Sequence, residues 1–259
     1  RLRKPEKFSV APTLSELGFS DDQTVDFPAK EPQPNVLKNY HETRDFPFIA
    51  GTSRMSLHLR FGTVSIRELT QMALNTNEKF LNELIWRDFY QMILFHFPYT
   101  ADSCFKPEYN RIRWEHNEEH FQHWCNGTTG YPLVDAGMRE LNTTGHMHNR
   151  VRMVVASFLT KHLLLDWRLG ERYFAEKLLD YELASNVGGW QWAAGCGCDA
   201  APYFRVFNPE SQQQKFDPDF QYIRKWVPEY GTAKYLSPII DHKVARERVL
   251  ARYKEGLNK

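Results

Sequence analysis

The stretch from His146 to Trp192 carries a dense set of polar side chains within an apolar part of the chain. Its first half, HMHNRVRMVVASFLTKHLLLDW, has apolar residues at helical spacing and predicts a helix with one broad apolar face. Asn149 and Arg152 are polar residues within this predicted helix, and Asp180 follows it in sequence. A charge-assisted bond between Arg152 and Asp180 would satisfy both groups, although an ordinary structural ion pair has the same pattern. Buried polar groups are costly without partners, so the stretch predicts a bound polar ligand.

The same stretch places a soft side chain and aromatic rings beside those polar groups. Met153 is one helical turn after Asn149, so an amide and a thioether share one patch. The amide needs hydrogen-bond partners, which an apolar core does not supply. Further on, Trp190 and Trp192 come after a Gly-Gly pair that we interpret as a turn. The apolar face beneath is formed by Val151, Val154, Val155, Phe158, Leu159 and Leu163.

A second candidate site is the segment from Gly51 to Ser56, GTSRMS. Its glycine, hydroxyl groups and arginine offer backbone N–H groups, O–H donors and a positive charge to a phosphate. An ordinary loop followed by a helix cap has the same composition, and spacing alone favours that second interpretation.

A third candidate is a set of four residues on one face of a predicted helix. Glu83, Trp86, Arg87 and Tyr90 recur at helical spacing, which puts them on the same side. A glutamate beside an exposed tryptophan and an arginine suits a flat aromatic ligand or a nucleic-acid base. A solvated face with one Glu–Arg pair is the alternative, and the spacing does not decide between the two.

The four cysteines form no recognisable metal or disulfide pattern. Cys196 and Cys198 make a C-x-C rather than a C-x-x-C, and the histidines from His116 to His123 match no standard zinc spacing. We therefore expect no metal site and interpret the cysteines as small buried residues. The motifs GxGxxG, Walker A and GxSxG do not occur either.

Composition limits the class of protein. The 259 residues are 42% hydrophobic, which is enough for a substantial core. The formal net charge of +1 excludes a broadly basic nucleic-acid coat but allows a local basic groove. The cysteine usage indicates a reducing compartment, and the first residues, RLRKPEKFSV, lack the apolar core of a signal peptide. No apolar run is long enough for a membrane span, so we expect a cytoplasmic protein without membrane contact.

The elements that position the candidate residues are helices throughout, which predicts an all-α fold. Residues 1–47 contain six prolines and predict an extended linker or wrapping segment. Residues 48–259 predict a multi-helical domain. A chain that begins in a linker leads us to expect that a preceding domain is absent from this chain.

Local signals mark several helix ends. A capping box at Ser65 starts one helix, a second begins after Asn77, and a later one begins at Glu171. The C-terminal sequence DHKVARERVLARYKEGL predicts a charged helix that directs Val244, Val249, Leu250 and Tyr253 inward.

Together these features resemble the DNA photolyase/cryptochrome family, and specifically its C-terminal helical FAD-binding domain. The resemblance runs from about Tyr40 to the end of the chain. It rests on the ordered motifs RDFP, GTSRMS, NELIWRDFY, TGYPLVDAGMREL, HMHNRVRM, NVGGWQWAAG and DAAPYFRVFNP. It is closest to class I cyclobutane pyrimidine dimer photolyases, and it changes our interpretation of GTSRMS from a loop to a phosphate-holding turn.

The resemblance implies thirteen contacts to FAD. Tyr40 and the segment from Thr52 to Ser56 would hold the diphosphate and ribityl chain, and Asn186 would face the flavin ring. The full implied set is Tyr40, Thr52, Ser53, Arg54, Met55, Ser56, Arg87, Asn149, Arg152, Asp180, Tyr181, Glu182 and Asn186.

Three positions depart from the family's pattern. Glu182 stands where the family usually has aspartate, and it is one methylene longer. His146 and Phe80 stand where tryptophans are usual. Because both replacements are aromatic, we expect them to adjust packing beside the cofactor rather than to abolish binding.

The resemblance also implies contacts to DNA and a path for electrons. The lesion and DNA set is Arg44, Glu83, Trp86, Arg87, Tyr90, Asn149, Arg150, Met153, Trp192, Arg205 and Gln212. Trp190, Trp167 and Trp114 match the family's electron-transfer chain from the flavin to the surface. Asn186 and Glu83 would complete the catalytic group.

The implied function is light-dependent repair of cyclobutane pyrimidine dimers in DNA. Photoexcited reduced FAD, FADH⁻, would donate an electron to a lesion flipped out of the duplex. A cryptochrome-type blue-light photoreceptor that signals without repair is one alternative, and a DASH-type photolyase of single-stranded DNA is another. The expected partner is damaged DNA, and we expect a monomer. The family's antenna chromophore binds mainly to a preceding α/β domain, so its identity cannot be predicted from this chain.

Overall fold

The computed structural model describes residues 12–19 and 27–257. Within these ranges the regular elements are helices and no strand occurs, which confirms the all-α fold. No described helix is long and apolar enough to cross a membrane. The α-helices are α1 Pro34–Lys38, α2 Tyr40–Thr43, α3 Ser56–Phe61, α4 Ile66–Thr76, α5 Glu78–His96, α6 Glu118–Asn126, α7 Pro132–Thr144, α8 Asn149–Ser157, α9 Trp167–Lys177, α10 Leu183–Ala194, α11 Pro209–Phe216, α12 Gln221–Trp226 and α13 His242–Leu257.

The predicted starts of α4 and α5 are confirmed. Ser65 accepts a hydrogen bond from the backbone N–H of Glu68, as a capping residue does. The side chain of Asn77 accepts from the backbone N–H groups of Lys79 and Phe80, so it caps α5. These caps satisfy N–H groups that have no partner inside the helix.

The Pro-rich segment differs from the predicted extended linker in its last part. Residues 34–43 form the short helices α1 and α2, and Pro34 is tolerated because the first turn of a helix needs no N–H donor. Leu37 and Tyr40 are buried, and the Tyr40 ring lies 5.4 Å from that of Phe80. This part of the segment therefore packs onto the helical body. Residues 1–11 and 20–26 lie outside the described residues.

The helix predicted to start at His146 begins three residues later, at Asn149. His148 caps it, because Nδ1 of its imidazole accepts from the backbone N–H of Arg150 at 3.1 Å. After α8 the chain continues as a π-helical turn, Phe158–His162. Such wide turns are uncommon and occur often near functional sites.

Two further predictions need correction. α9 begins at Trp167 rather than Glu171, because Asp166 caps it. Val244 is 59% exposed and does not point inward. The reason is that α13 buries only a narrow stripe, formed by Ala245, Val249, Tyr253 and Gly256.

The interpretation of Gly188 and Gly189 as a turn is wrong, because both lie inside α10. A Cβ on Gly188 would lie 2.2 Å from Cδ1 of Tyr90, so glycine is needed where α10 crosses α5. The carboxylate of Glu182 caps the start of α10. At its other end the buried Lys161 donates to the carbonyl of Ala194 at 2.9 Å. Helix α10 is thus anchored at both ends and against α5.

The buried side chains form two cores. The larger includes the six apolar residues predicted for one face of the α8 segment, together with residues of α7, α9, α10, α12 and α13. The smaller joins α1 to α5 through Leu37, Tyr40, Met55, Leu69, Ala73, Phe80 and Leu84. The space between the two cores holds the candidate site.

Candidate functional site

A cavity of about 640 Å³ is lined by residues of both cores. Its walls come from α2, α3, α5, α8 and α10, and from the connections 52–55 and 178–182. All thirteen residues implied for the cofactor line this cavity. Eight of the eleven implied for the lesion and DNA line it as well: Arg44, Glu83, Trp86, Arg87, Tyr90, Asn149, Met153 and Trp192. Segments that are far apart in sequence therefore meet at one place.

The turn from Gly51 to Ser56 is held tightly against α2. A Cβ on Gly51 would lie 2.5 Å from Cβ of Thr43, and the Thr43 hydroxyl donates to the Gly51 carbonyl at 3.2 Å. Arg54 has a φ of +54°, a left-handed conformation that is uncommon for a residue with a Cβ. Strained backbone of this kind concentrates at ligand sites. The buried Met55 anchors the turn in the smaller core, while Arg54 and the hydroxyl residues Thr52, Ser53 and Ser56 line the cavity.

Arg152 and Asp180 form the predicted ion pair in the wall. The Arg152 guanidinium donates to the two carboxylate oxygens at 3.1 and 3.0 Å, and to the carbonyl of Met147 at 2.8 Å. Burial raises the pKa of Asp180, but the charge of Arg152 and hydrogen bonds from Ser56 and Arg152 outweigh it and leave this pKa below its ordinary value. The pair is therefore ionised at neutral pH and presents fixed polar groups to the cavity.

The predicted face of α5 is confirmed as a lining surface. Trp86 is 41% exposed, and its ring lies 5.8 Å from that of Tyr90. Arg87 donates weakly, at 3.4 Å, to the carbonyl of Leu59. Burial and the nearby Asp199 raise the pKa of Tyr90 to about 12, so its hydroxyl remains a neutral donor at physiological pH.

Glu83 has a partner that the sequence did not predict. Its carboxylate forms an ion pair with Arg44, which follows α2. Burial raises the pKa of Glu83, and Arg44 opposes this effect. Arg44 also lies over the ring of Tyr40, at 5.6 Å. Two residues of the implied lesion and DNA set are thus paired with each other in this structure.

Helix α8 presents its side chains to two different surroundings. Asn149, Arg152 and Met153 line the cavity. Arg150 points elsewhere, because it pairs with Asp45 at 2.7 Å and its guanidinium lies 4.2 Å from the ring centre of Phe216.

Helix α10 contributes the amide of Asn186 and the rings of Trp190 and Trp192. The Asn186 nitrogen donates to the backbone carbonyl and the carboxylate of Glu171, both at 3.0 Å. Its amide oxygen is thereby fixed in orientation as an acceptor. Glu182 lines the cavity too, but its carboxylate also accepts from the N–H groups at the start of α10, so capping holds its position.

The three predicted electron-transfer tryptophans lie at different depths. Trp190 lines the cavity and is buried. It packs on α9, where a Cβ on Gly170 would lie 2.1 Å from its Cη2, and the buried Trp167 is one turn earlier on α9. Trp114 is partly buried, with its ring 6.1 Å from that of Tyr253. Trp167 and Trp114 do not line the cavity.

Three predicted DNA contacts also lie outside the cavity wall. These are Arg150, Arg205 and Gln212. Arg205 is exposed, and its guanidinium lies 6.0 Å from the ring centre of the cavity-lining Trp192. Arg205 is thus placed near the cavity, while the DNA role of all three residues stays a prediction.

Several polar lining residues were not predicted. Lys79 and Asn82 precede Glu83 and Trp86 by one helical turn, so extending the same periodicity along α5 would have found them. Arg60 follows Ser56 by one turn of α3 and donates to the carbonyl of Tyr181. The remaining polar additions, His148, Ser185 and Asp199, have no comparable spacing signal. His146 and Phe80, which we expected to lie beside the cofactor, also line the cavity.

Three of the cysteines, Cys104, Cys125 and Cys196, are buried, as the sequence predicts, while Cys198 is partly exposed. Across residues 12–19 and 27–257, no group of three histidine, cysteine or acidic side chains is arranged to hold a metal ion.

A family model for the FAD-binding domain of DNA photolyase matches residues 80–234. The chain belongs to the DNA photolyase family. The matched part contains the α5 face, α8 and α10, while α2 and the Gly51–Ser56 turn precede it. The predicted family and its helical domain are therefore confirmed.

Individual photolyases agree with this assignment. The deoxyribodipyrimidine photo-lyase of Escherichia coli is 46% identical over 248 residues, which cover 85% of this chain and 52% of that protein. A bacterial class III photolyase from Agrobacterium tumefaciens superposes with a TM-score of 0.82 at 42% identity, covering 86% of this chain and 53% of the other. A Synechocystis cryptochrome superposes with a TM-score of 0.74 at 33% identity, covering 84% and 52%. The chain spans about half the length of the curated relatives it matches, 43% of one and 62% of another.

Proposed function

We propose that the cavity binds FAD, used as reduced FADH⁻, and that the protein repairs cyclobutane pyrimidine dimers in DNA with light. One observation carries the proposal: residues implied for the cofactor, from separate parts of the chain, line one cavity of about 640 Å³. This volume lies within the range of about 300–1,000 Å³ typical of small-molecule sites. The family match to an FAD-binding domain supports the same occupant.

The residues present fit this cofactor. Gly189 lines the cavity, and a Cβ there would meet no atom within 4 Å, so the helix leaves room for a group against its backbone. Arg54, Arg87 and the hydroxyls of the Gly51–Ser56 turn supply charge and donors to a diphosphate. The fixed oxygen of Asn186 supplies an acceptor for a ring N–H.

When bound, reduced FAD supplies a light-driven electron donor. The chain's own residues would bind the cofactor, orient it and shield it from water. The ionised pair Arg152–Asp180 fixes the polar edge of the site, and the buried Tyr40 and Phe80 close the wall of the smaller core. Preorganised groups of this kind need no rearrangement when charge moves.

The cavity wall suits two adjacent pyrimidines that are crosslinked to each other. Trp86 on α5 and Trp192 on α10 offer aromatic faces to the bases, and Met153 on α8 offers them a polarizable contact. Extruding bases from a duplex costs a few kcal/mol, and less at a damaged step, so the lesion itself favours entry. Glu83 would accept a hydrogen bond from the damaged base, and Asn149 would contact both base and cofactor.

Phosphate contacts would come from Arg44 in the cavity wall and from Arg150 and Arg205 outside it. Arg205 is exposed, while Arg44 and Arg150 are paired with Glu83 and Asp45. Binding of a phosphate would therefore exchange the partners of the last two arginines. Each phosphate contact releases counterions, so DNA affinity should fall with salt even though the chain is nearly neutral.

The tryptophans Trp190, Trp167 and Trp114 are the proposed path for electrons between the cavity and the surface. Trp190 has its ring 6.0 Å from that of Trp124 and 5.0 Å from that of Phe174, so it sits in a packed aromatic environment. This packing holds the Trp190 ring in a fixed position beside the cavity.

The test is repair of a thymine dimer in duplex DNA by purified, FAD-loaded protein under blue light. The return of base absorbance measures the repair. Failure of illuminated, reduced protein to split the dimer would refute the proposal. Glu83→Ala should slow repair and leave flavin absorbance intact, because the residue faces the lesion. Glu247→Ala, an exposed change on α13, is the control that should leave both unchanged.

A signalling photoreceptor is the second candidate, favoured by the similarity to a Synechocystis cryptochrome. Flavin binding with light response but no dimer splitting in either single- or double-stranded DNA would support it. Repair limited to single strands would support the DASH-type activity instead.

A further inference from the structure

Two buried cysteines that the proposed function leaves without a role lie against each other. Cys104 follows the turn Pro98–Ala101, Cys196 follows the end of α10, and each is 1% exposed. Their thiols are hydrogen-bonded to each other. No local spacing predicts this pair, because the contact depends on how two distant segments pack.

The backbone segments that carry the two thiols are joined by several hydrogen bonds. The N–H of Lys106 donates to the carbonyl of Cys196 at 3.0 Å. The buried side chain of Gln191, on α10, accepts from the N–H of Phe105 at 2.8 Å and donates to the carbonyl of Ser103 at 2.9 Å. The approach of the two sulfurs is therefore fixed by the backbone on both sides and does not depend on one rotamer alone.

The thiol pair lies beside Trp167, the second tryptophan of the proposed electron path. Among the described residues, the buried indole N–H of Trp167 has no nitrogen or oxygen acceptor, and the Cys104 sulfur lies next to it. The residue after Trp167 fixes this position, because the Arg168 guanidinium donates to the carbonyl of Asp102 at 2.6 Å and to the side-chain oxygen of Asn110 at 3.1 Å. The same Asn110 oxygen accepts from the Cys104 N–H at 3.1 Å. The start of α9 and the Cys104 segment are thus held together.

The surroundings favour the reactive, deprotonated form of Cys104. The hydrogen bond from Cys196 lowers the pKa of the Cys104 thiol, burial opposes this effect, and Trp167 and Arg168 add to it. Burial raises the pKa of Cys196 well above its ordinary value, so Cys196 remains a thiol. The thiolate is the reactive form of cysteine. Burial also keeps dissolved oxidants away from both sulfurs, whereas an electron can pass directly to the adjoining indole of Trp167.

We propose that the pair Cys104–Cys196 is an internal electron donor to Trp167 and is oxidised to a disulfide when bound FAD is reduced by light. The inference rests on the proposed function, because FAD is the electron acceptor. Two S–H bonds break and one S–S bond forms. Two electrons, each moved by one light-driven step, pass through Trp167 and Trp190 to FAD. One proton joins them to give FADH⁻, and the second proton is released, so the reaction balances without a further reactant.

A pair of thiols suits this task better than a single one. FADH⁻ holds two electrons more than FAD, and a dithiol supplies both, whereas one cysteine supplies a single electron and is left as a sulfur radical. Cys125 offers a matched comparison within the same core. It lies on α6, and burial raises the pKa of its thiol to about 12, so it stays protonated.

The experiment illuminates protein loaded with oxidised FAD, without an added reductant, and counts free thiols after denaturation in acid. The chain has four cysteines, and wild type should fall from four free thiols to two as the flavin absorbance bleaches. Proteolysis and mass spectrometry should then find the peptides of Cys104 and Cys196 joined, with two hydrogen atoms lost. A sample kept in the dark should retain all four thiols.

Variants separate this pair from other routes of oxidation. Cys104→Ser and Cys196→Ser should each keep all their remaining thiols in the light. Cys125→Ser, the matched control, should still lose two. Trp190→Phe, which interrupts the path between Trp167 and the cavity, should keep all four. Flavin absorbance of each variant before illumination confirms that it is folded and loaded.

Four free thiols in wild type after its flavin has been reduced would overturn the proposal and leave the proposed function standing. Reduction of the flavin only when a reductant is added would do the same, as would equal loss of thiols in the dark or in Trp190→Phe. Failure of wild type to bind FAD, or to reduce it in the light even with an added reductant, would overturn both.

Discussion

Gly189 offers a direct test of whether the cavity holds the cofactor. It lies within α10 and lines the cavity, and a Cβ there meets no atom within 4 Å. Its neighbour Gly188 has the opposite surroundings, since a Cβ would lie 2.2 Å from the ring of Tyr90. Gly189→Ala and Gly188→Ala therefore add the same methyl group at adjacent positions, one in open space and one in a packed crossing.

The two changes should have opposite effects on the free energy of unfolding. Gly189→Ala should stabilise the protein without FAD by about 0.5–1 kcal/mol, the usual gain from replacing glycine within a helix. Gly188→Ala should destabilise it by about 1–3 kcal/mol, as overpacking of a filled contact does. Thermal unfolding followed by circular dichroism measures both. A shift of about 2–4 °C per kcal/mol is expected for a domain of this size.

The change at Gly189 that stabilises the protein should weaken its binding of FAD. A methyl that competes with the cofactor costs about 1–3 kcal/mol of binding free energy, or roughly 5- to 150-fold in Kd. Gly189→Leu, which reaches further into the cavity, should weaken FAD binding more strongly while α10 stays folded. Unchanged FAD affinity in a stable Gly189→Leu protein would refute the assignment of this cavity.

Two further predictions concern a buried imidazole and the electron path. Because the pKa of His148 is lowered to about 4, the folded protein resists a proton that the unfolded chain binds below about pH 6.5. Between pH 7 and 4, wild type should therefore lose about 3 kcal/mol more of its free energy of unfolding than His148→Ser, in which the serine hydroxyl still caps α8. Urea unfolding at both pH values measures this difference. Equal losses in the two proteins would contradict the prediction. Trp190→Phe should block the light-driven bleaching of oxidised flavin absorbance, yet leave dimer repair by chemically reduced protein intact. Persistent photoreduction in that variant would exclude Trp190 as the first donor.

Local sequence signals predicted the helices whose ends depend on nearby residues. Ser65 and Asn77 cap α4 and α5 as expected, because a cap involves only the next few N–H groups. Helix α10 was missed because its glycines resemble a turn. Gly188 is there for the approach of Tyr90 on α5, a contact between distant segments that no local pattern contains.

In the site, too, local features could be predicted and contacts between distant segments mostly could not. The spacing of Glu83, Trp86, Arg87 and Tyr90 was sufficient to place them on one face, because helical periodicity is a local property. The ion pair between Glu83 and Arg44 was not predictable, since it depends on how α2 packs against α5. The pair Arg152–Asp180 was predicted, because two charged groups in one apolar stretch need each other, whereas the partners of Glu83 and Arg150 depend on the packing of distant segments.

Under the proposed function, these unexpected partners matter for how a nearly neutral chain would bind an anionic polymer. Arg44 and Arg150 are each paired with a carboxylate, Glu83 and Asp45, which balances their positive charge locally. A DNA phosphate that takes over Arg44 would release the Glu83 carboxylate at the cavity wall, where the damaged base would enter. Under the proposed function, phosphate binding and readiness of the lesion pocket are therefore coupled through one ion pair. An undamaged duplex could engage the arginines but would leave the released carboxylate without a base to accept from, and a partly buried carboxylate without a partner is costly. Such a cost would favour release of undamaged DNA without any contact that reads its sequence.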